Sequence, residues 1–274
     1  MSQPSGAIPA TGPRAAAIRA YRQAARQIHL DFHTPDDAPG FLADFSPDEI
    51  ARTLRAAHVQ GVKIFAKCSC GSSYYFTQAG RRHPQLQRDF LHELGASLGE
   101  HGLLSYAHYA VLQNWAVAKD RPDWCVRRED GSLVAEALCP NSPYLRELVL
   151  PQLEELCAYP LDGFFLDIVY FPSDIVGCLC DHCRRAFHAE TGRELTGDRF
   201  RREPEIVSSF RYRSLHRMLA ACRDVRDRLA PDKIILANHA HVVCPWEFNY
   251  EGETEHVADV GVAESQPVVA TLYR

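Results

Sequence analysis

The chain has 274 residues, of which 46% are hydrophobic and 24% are charged. This length and composition predict one large α/β domain with a substantial core. The formal net charge of -5 comes from interspersed acidic and basic residues, so we expect no nucleic-acid partner. The sequence has neither an apolar run of membrane-spanning length nor a secretion signal after Met1, so we expect no membrane partner and a cytoplasmic location.

The predicted secondary structure alternates between strands and helices. Residues 1–25 are predicted to form a loose arm and a short helix, and residues 26–274 to form the folded domain. Strands are predicted where short apolar or alternating runs are bounded by turn residues: 26–33, 62–67, 103–109, 161–167, 233–239 and 257–264. Helices are predicted where the apolar period becomes helical: 14–25, 46–60, 84–100, 141–158, 184–189 and 204–229.

This alternation predicts a parallel sheet, and the polar residues after each strand fit the mouth of a (β/α)8 TIM barrel better than an open sheet. The long connection 114–131 is predicted to form a hairpin at that mouth. Closing such a barrel takes eight strands, and we find about six, so we expect a C-terminally incomplete barrel. Its apolar sheet edges would be exposed unless another segment covered them or a second subunit did so in a homo-oligomer.

The run from Pro160 to Asp167 is predicted to be a buried central strand. A short run of bulky apolar residues is typical of a strand buried on both faces, and a carboxylate survives there only at the end that reaches solvent. Asp167 occupies that end. Soon after it come Cys178, Cys180 and Cys183, at a spacing suited to a metal ion. In the cytoplasm we expect the ten cysteines to be mostly reduced thiols or metal ligands.

Four motifs carry a family resemblance: Phe65-Ala66-Lys67-Cys68-Ser69-Cys70-Gly71-Ser72-Ser73-Tyr74-Tyr75, His83-Pro84, Leu138-Cys139-Pro140-Asn141-Ser142-Pro143-Tyr144 and Asp162-Gly163-Phe164-Phe165-Leu166-Asp167. Together they resemble the barrel family of hypothetical glycosyl hydrolase 6, over roughly residues 27–266. The spacing of strands two to four also resembles the α-L-fucosidases. Their second strand carries Lys-His-His-Asp-Gly-Phe and their fourth ends in a nucleophilic aspartate. These resemblances imply a glycosidase-like protein with a carbohydrate substrate and no organic cofactor.

The fucosidase resemblance implies that Lys67 and the loop from Cys68 to Tyr74 touch sugar and that Asp167 is the nucleophile. The three residues after Lys67 depart from the fucosidase His-His-Asp, so fucose specificity is not implied. In the β-galactosidase-like clan the fourth strand instead carries the acid and the seventh the nucleophile. The role of Asp167 therefore depends on which resemblance holds.

Glycoside hydrolysis needs a second carboxyl group across the scissile bond. Glu264, at the end of the sixth predicted strand, is our candidate, with Asp31 as the reserve. Further side chains at strand ends are predicted to hydrogen-bond sugar hydroxyls: His33, Tyr106, His108, Asn238 and His239.

The cysteine cluster carries another resemblance. Cys178-x-Cys180-x-x-Cys183, with Cys139 ahead of an Asn-Ser-Pro-Tyr stretch, is similar to the zinc site of the barrel β-galactosidases. Four thiolates around one ion would form a closed tetrahedral site, so the implied zinc is structural. The alternative is that these cysteines are ordinary reduced thiols in a loop.

Two other functions stay open from the sequence. Asp31-x-His33 and His239-x-His241 resemble the metal-binding histidines of barrel amidohydrolases, although the expected first histidine is replaced by Asp31. The six-strand count also allows a non-catalytic sugar-binding protein or barrel remnant. A catalytic metal would support the amidohydrolase hypothesis, and saturable sugar binding without turnover would support the remnant.

Overall fold

The computed structural model describes residues 11–172, 175–238 and 258–262. The strands there are β1 (Gln27–Leu30), β2 (Gly61–Lys67), β3 (Ser72–Ser73), β4 (Arg81–Arg82), β5 (Leu104–Ala110), β6 (Cys125–Arg127), β7 (Leu133–Leu138), β8 (Gly163–Asp167), β9 (Ile234–Asn238) and β10 (Val260–Val262). The α-helices are α1 (Pro13–Gln23), α2 (Pro47–Ala56), α3 (Phe90–Glu100), α4 (Trp115–Asp120), α5 (Leu150–Leu156), α6 (Asp181–Thr191), α7 (Gly197–Arg202) and α8 (Pro204–Leu229). None of the described helices is long and apolar enough to span a membrane.

Six parallel strands form the central sheet, and they lie side by side in chain order: β1, β2, β5, β8, β9 and β10. They correspond to the six predicted strands, so the predicted α/β architecture with a mostly parallel sheet is confirmed. The short strands β3 and β4 extend the sheet beside the carboxyl end of β2. No ladder joins β1 to β10 within the described residues, so barrel closure and a missing C-terminal part stay predictions.

The two faces of the sheet are covered differently, because successive side chains of a strand point to opposite faces. On one face the strands share the main apolar core with α3, α5 and α8. The other face carries Tyr106 and Phe165, and Ile18 of α1 packs against them. We call this second face the α1 face. Asp167 lies two residues after Phe165, so it extends from the α1 face at the carboxyl end of β8.

The connections between the strands match the predicted elements in most places. A hairpin forms as the antiparallel pair β6–β7, but it lies later than the predicted range 114–131, because α4 occupies the first part of that range. The helix predicted over 204–229 is α8 with the same bounds. The helix predicted over 141–158 is instead interrupted, because a π-helical turn at Leu145–Val149 precedes α5. Pro151 lies in the first turn of α5 and has no N–H to donate, so the backbone widens ahead of it.

The close approach of β8 to β9 depends on Gly163. A Cβ at this position would lie 2.3 Å from the carbonyl oxygen of Ile234. We therefore expect Gly163→Ala to lower the free energy of unfolding by about 2 kcal/mol or more, because the two backbones must separate. Gly99→Ala is the matched control, since a Cβ there meets nothing within 4 Å. It should leave stability unchanged or raise it by up to about 1 kcal/mol. Urea unfolding of both variants tests this, and equal stability would contradict it.

Candidate active site

Asp167 ends β8, and three donors hold its carboxylate. His108 of β5 donates from Nε2 to Oδ2 at 2.9 Å, and Asn238 of β9 donates from Nδ2 to Oδ1 at 2.6 Å. The backbone N–H of Ile168 donates to Oδ1 at 2.8 Å. The Asp167 side chain nevertheless keeps 17% of its surface exposed. The carboxylate is therefore fixed in position and still reachable by a ligand.

The surroundings of Asp167 favour its charged form. Burial alone would raise the pKa of this carboxyl, because a low dielectric disfavours charge. The hydrogen bond and the charge of His108, together with the hydrogen bonds from Asn238 and the Ile168 amide, outweigh burial and lower the pKa below its ordinary value. Asp167 is therefore ionised at neutral pH. It can attack a carbon atom or accept a proton, but it has no proton to donate.

The backbone bends sharply directly after the carboxylate. Ile168 has a φ of 53°, in the left-handed region that β-branched residues strongly disfavour. Two backbone hydrogen bonds hold this segment, from Val111 N to Asp167 O at 2.8 Å and from Leu112 N to Ile168 O at 3.1 Å. Backbone strain of this kind persists only where surrounding contacts hold it, and it is concentrated at functional sites.

Histidine and aromatic rings line the α1 face behind the carboxylate. The ring centroid of His108 lies 4.0 Å from that of Phe65, 4.9 Å from that of His29 and 5.6 Å from that of Phe165. The Lys63 ammonium lies 4.0 Å from the Phe165 centroid. His29 and Lys63 are not among the site residues predicted from the sequence. The alternation of polar and apolar residues along β1 and β2 could have indicated them, because it places His29 and Lys63 on the same face of the sheet.

Four cysteines form a second, buried centre. The Sγ atoms of Cys139, Cys178, Cys180 and Cys183 all lie within 4.8 Å of one another. Cys139 directly follows β7, Cys178 and Cys180 come from the connection between β8 and α6, and Cys183 lies in the first turn of α6. The Sγ of Cys139 lies 3.4 Å from that of Cys183 and 3.6 Å from that of Cys180. Four sulfurs at this spacing have the number and arrangement of a structural zinc site.

Nitrogen donors surround these sulfurs. The backbone N–H of Arg127 donates to the Cys178 Sγ at 3.4 Å, and that of Cys183 to the Cys180 Sγ at 3.4 Å. Asn141 Nδ2 donates to the Cys183 Sγ at 3.3 Å. Donors aimed at sulfur stabilise thiolates, which are the form that binds metal. The residues present therefore fit a zinc ion.

Solved structures with a similar fold include glycosidases. The chain is 27% identical to α-L-fucosidase isoenzyme 2 from Paenibacillus thiaminolyticus, with a TM-score of 0.67, over 79% of this chain and 33% of that one. Two β-galactosidases, from the psychrophilic Marinomonas ef1 and the Antarctic haloarchaeon Halorubrum lacusprofundi, are 12% and 16% identical. Their TM-scores are 0.62 and 0.61, over 89% and 88% of this chain and 40% of each of those chains. The β-galactosidases show the fold alone, and the chain spans about a third to two-fifths of the length of these proteins.

Residues 46–168 match the model of the family described as hypothetical glycosyl hydrolase 6. Over this segment the chain resembles the glycosyl hydrolases that the family model describes. The matched segment begins just before α2 and ends one residue after Asp167, so it includes β2, β5 and β8. The resemblance predicted from the sequence motifs is thus confirmed, over a shorter segment than the predicted 27–266. No curated protein matches the sequence at a significant level.

Two of the predicted sugar-binding residues contact Asp167 in the central sheet. His108 and Asn238 both donate to its carboxylate. The Oδ1 atom of Asn238 is buried and has no hydrogen-bond partner among the described residues. Glu264 and His239 lie outside the described residues, so their predicted roles stay predictions.

Two other predicted sugar-binding residues point away from this cluster. Lys67 is fully buried and donates from Nζ to the carbonyl oxygens of Ala110 and Gln113. Burial lowers the pKa of Lys67 to about 7. The Tyr74 hydroxyl accepts from the backbone N–H of Thr34 at 3.1 Å. Neither side chain is brought together with the carboxylate of β8, and their contact with sugar stays a prediction.

The remaining predicted residues lie at opposite ends of the α1 face. Tyr106 packs edge-on against Tyr21 of α1 at 5.4 Å, near the amino end of the sheet and far from Asp167. His33 follows β1 at the carboxyl edge, is 46% exposed, and lies 3.4 Å from Asp31 between Nε2 and Oδ1. Asp31 is 65% exposed. Of these three residues, only His33 and Asp31 therefore lie at the edge that carries the candidate active site.

Proposed function

We propose that this chain is a glycoside hydrolase-like protein that cleaves a carbohydrate, with Asp167 as the nucleophile. The observation that carries this proposal is the ionised Asp167 carboxylate, which three donors fix at the carboxyl end of a central parallel strand. Catalytic groups of barrel enzymes come from this end of the strands. The family match over 46–168 and the likeness to a fucosidase at 27% identity support the proposal.

The environment of Asp167 favours a nucleophile over a general acid. A general acid must hold a proton near neutral pH, which requires a raised pKa. Three donors to Asp167 instead lower its pKa and occupy its oxygen lone pairs on the protein side. The fucosidase-like role is therefore preferred to the acid role that the β-galactosidase-like clan gives to its fourth strand.

A nucleophilic Asp167 implies hydrolysis with retention of configuration. The acid/base partner would then have its carboxyl group about 5–5.5 Å from that of Asp167. We propose Glu264 as this partner, with Asp31 as the reserve because it follows β1 at the same edge of the sheet. The Oδ1 atom of Asn238 would accept a hydrogen bond from a sugar hydroxyl, and His33 would lie at the rim.

We also propose that Cys139, Cys178, Cys180 and Cys183 hold a structural zinc ion. When bound, the ion would neutralise thiolate charge and cross-link the end of the β6–β7 hairpin to the connection before α6 and to the first turn of α6. This cross-link would hold the segment that follows Asp167. We also propose a cytoplasmic location, in which these thiols would stay reduced.

Turnover of a panel of aryl glycosides tests the proposed function. The panel should include α-fucosides and β-galactosides, and NMR of the first product formed reports its anomeric configuration. We expect hydrolysis of at least one glycoside with retention. Inversion would contradict the nucleophile role, and saturable sugar binding without turnover would support a sugar-binding protein instead.

The pH dependence of turnover gives a separate test of Asp167. Because hydrogen bonds lower its pKa, the anion persists as the pH falls below the ordinary carboxyl range, and the acidic limb of kcat/KM should lie there. Asn238→Ala removes one of these bonds, so the pKa rises and the acidic limb should move to higher pH. The lowered pKa of Asp167 also stabilises the folded state at pH values above the pKa that Asp167 has in the unfolded chain. This stabilisation is lost as the pH falls through the pKa of Asp167 in the folded state. An unmoved limb in the Asn238→Ala variant would contradict the assignment.

A further inference from the structure

A second group of side chains that could hold a metal ion lies at the carboxyl edge of the sheet, apart from the four-cysteine centre. It consists of His33, which follows β1, and Cys68 and Cys70, which follow β2. One ligand atom from each of the three residues lies within 4.8 Å of the others. Two sulfurs and an imidazole nitrogen form a donor set that suits zinc and other thiophilic ions.

A tight turn places the two sulfurs together. The backbone N–H of Cys68 donates to Ser72 O at 3.1 Å, and that of Gly71 donates to Cys68 O at 3.0 Å. Gly71 has a φ of 98°, and a Cβ there would lie 2.3 Å from Asn114 Oδ1. The backbone N–H of Ala116 donates to Cys70 O at 3.3 Å and ties the turn to α4. The turn is thus held on both sides, so the two thiols are positioned before any ion arrives.

Outer groups support two of these donors. The Tyr74 hydroxyl donates to the Cys68 Sγ at 3.4 Å and so fixes the position of this sulfur. The Asp31 carboxylate lies 3.4 Å from the His33 ring, and carboxylates orient ligand histidines in this way at zinc sites. Exposure rises across the group, from buried Cys68 to half-exposed His33. One side of the group is therefore open to solvent.

We propose that His33, Cys68 and Cys70 bind a second zinc ion and leave one coordination position open. Three protein ligands with a free position are the arrangement of zinc sites that bind water or a substrate oxygen, unlike the closed set of four cysteines. The His33 ring lies 5.2 Å from that of Phe65, which in turn lies 4.0 Å from that of His108. The open position would thus be at the same edge as the candidate active site. This inference does not rest on the proposed glycosidase activity.

Metal stoichiometry tests the proposal directly. The full chain is kept in a non-thiol reductant, loaded with zinc or cobalt(II), and its bound metal is counted by elemental analysis. We expect two ions per wild-type chain and one per Cys68→Ser/Cys70→Ser chain, with a matching loss of sulfur-to-cobalt absorption. Cys157→Ser is the control, because Cys157 follows α5 and belongs to neither group. It should keep both ions.

The outcomes separate this site from the four-cysteine centre. A wild-type chain with one ion that Cys68→Ser/Cys70→Ser removes and Cys183→Ser retains would support the three-residue site alone. An unchanged ion count in the folded Cys68→Ser/Cys70→Ser variant would overturn the proposal. A Cys68–Cys70 disulfide that survives the reductant and prevents binding, detected by intact mass, would also overturn it. His33→Ala should lower the affinity of this site for its ion and leave the ion at the four cysteines bound.

Discussion

Replacing Asp167 with asparagine is expected to lower kcat/KM for the best glycoside of the panel by about 10³-fold or more. The reason is that the neutral amide cannot attack the anomeric carbon, although it has nearly the same shape. The His108, Asn238 and Ile168 donors then lose their charged acceptor, so a small loss of stability is expected as well. Steady-state kinetics and thermal unfolding of the same preparation separate the two effects.

Asp162→Asn is the matched control, because Asp162 lies just before the other end of the same strand. Its Oδ2 accepts from the backbone N–H of Ser105 at 2.8 Å, and an asparagine oxygen can accept the same bond. This variant should keep turnover within a few-fold of the original chain. Equal losses in Asp162→Asn and Asp167→Asn would mean that the lost activity reflects damage to the sheet.

Azide distinguishes a nucleophile from an acid at Asp167. If Asp167 is the nucleophile, azide should restore turnover of an activated aryl glycoside by Asp167→Ala. The product should then be a glycosyl azide with the configuration opposite to that of the substrate. If Asp167 were the acid/base group, azide would instead attack a glycosyl-enzyme intermediate, and the azide product would keep the configuration of the substrate.

Removing the proposed structural zinc is expected to produce the largest loss of stability. Cys183→Ser should lose one bound ion and lower Tm by about 10 °C, because metal binding at such a site contributes directly to the free energy of folding. The Cys183 Sγ lies 3.4 Å from that of Cys139, so its loss separates two segments that are distant in sequence. Elemental analysis and calorimetry measure both effects.

A chelator gives the same test without mutation. Prolonged treatment with a chelator should lower the Tm of the original chain toward that of Cys183→Ser, and it should leave Cys183→Ser almost unchanged. Cys157→Ser should respond to the chelator as the original chain does. A chain that contains no zinc after zinc loading, or whose Tm is independent of zinc, would contradict the structural zinc site.

Local patterns were enough to predict the strands and the position of Asp167. The run that ends in Asp167 is apolar and bounded by turn residues, and these features depend only on neighbours in sequence. The same holds for Cys178, Cys180 and Cys183, whose short spacing already limits how far apart their sulfurs can lie. Both features could therefore be predicted without knowledge of how the strands pair.

Only the tertiary structure decided which distant side chains meet. A β-bulge between Phe65 and Lys67 shifts the register with β5, so Lys67 lies opposite Tyr109 instead of extending toward Asp167. A shift of one residue moves a side chain to the other face of a sheet, and the sequence pattern carries no mark of it. Tyr106 is excluded from the candidate site for a related reason, since it lies on the correct face but near the wrong end of β5.

The partners of Asp167 come from strands far away in sequence, namely His108 from β5 and Asn238 from β9. Their residue types made them candidates, but only the register of three neighbouring parallel strands brings their side chains to one carboxylate. The sequence by itself therefore determined the kind of fold and which residues can do chemistry. The pairing of the strands decided which of those residues act together, because strand register depends on long-range packing that no local pattern encodes.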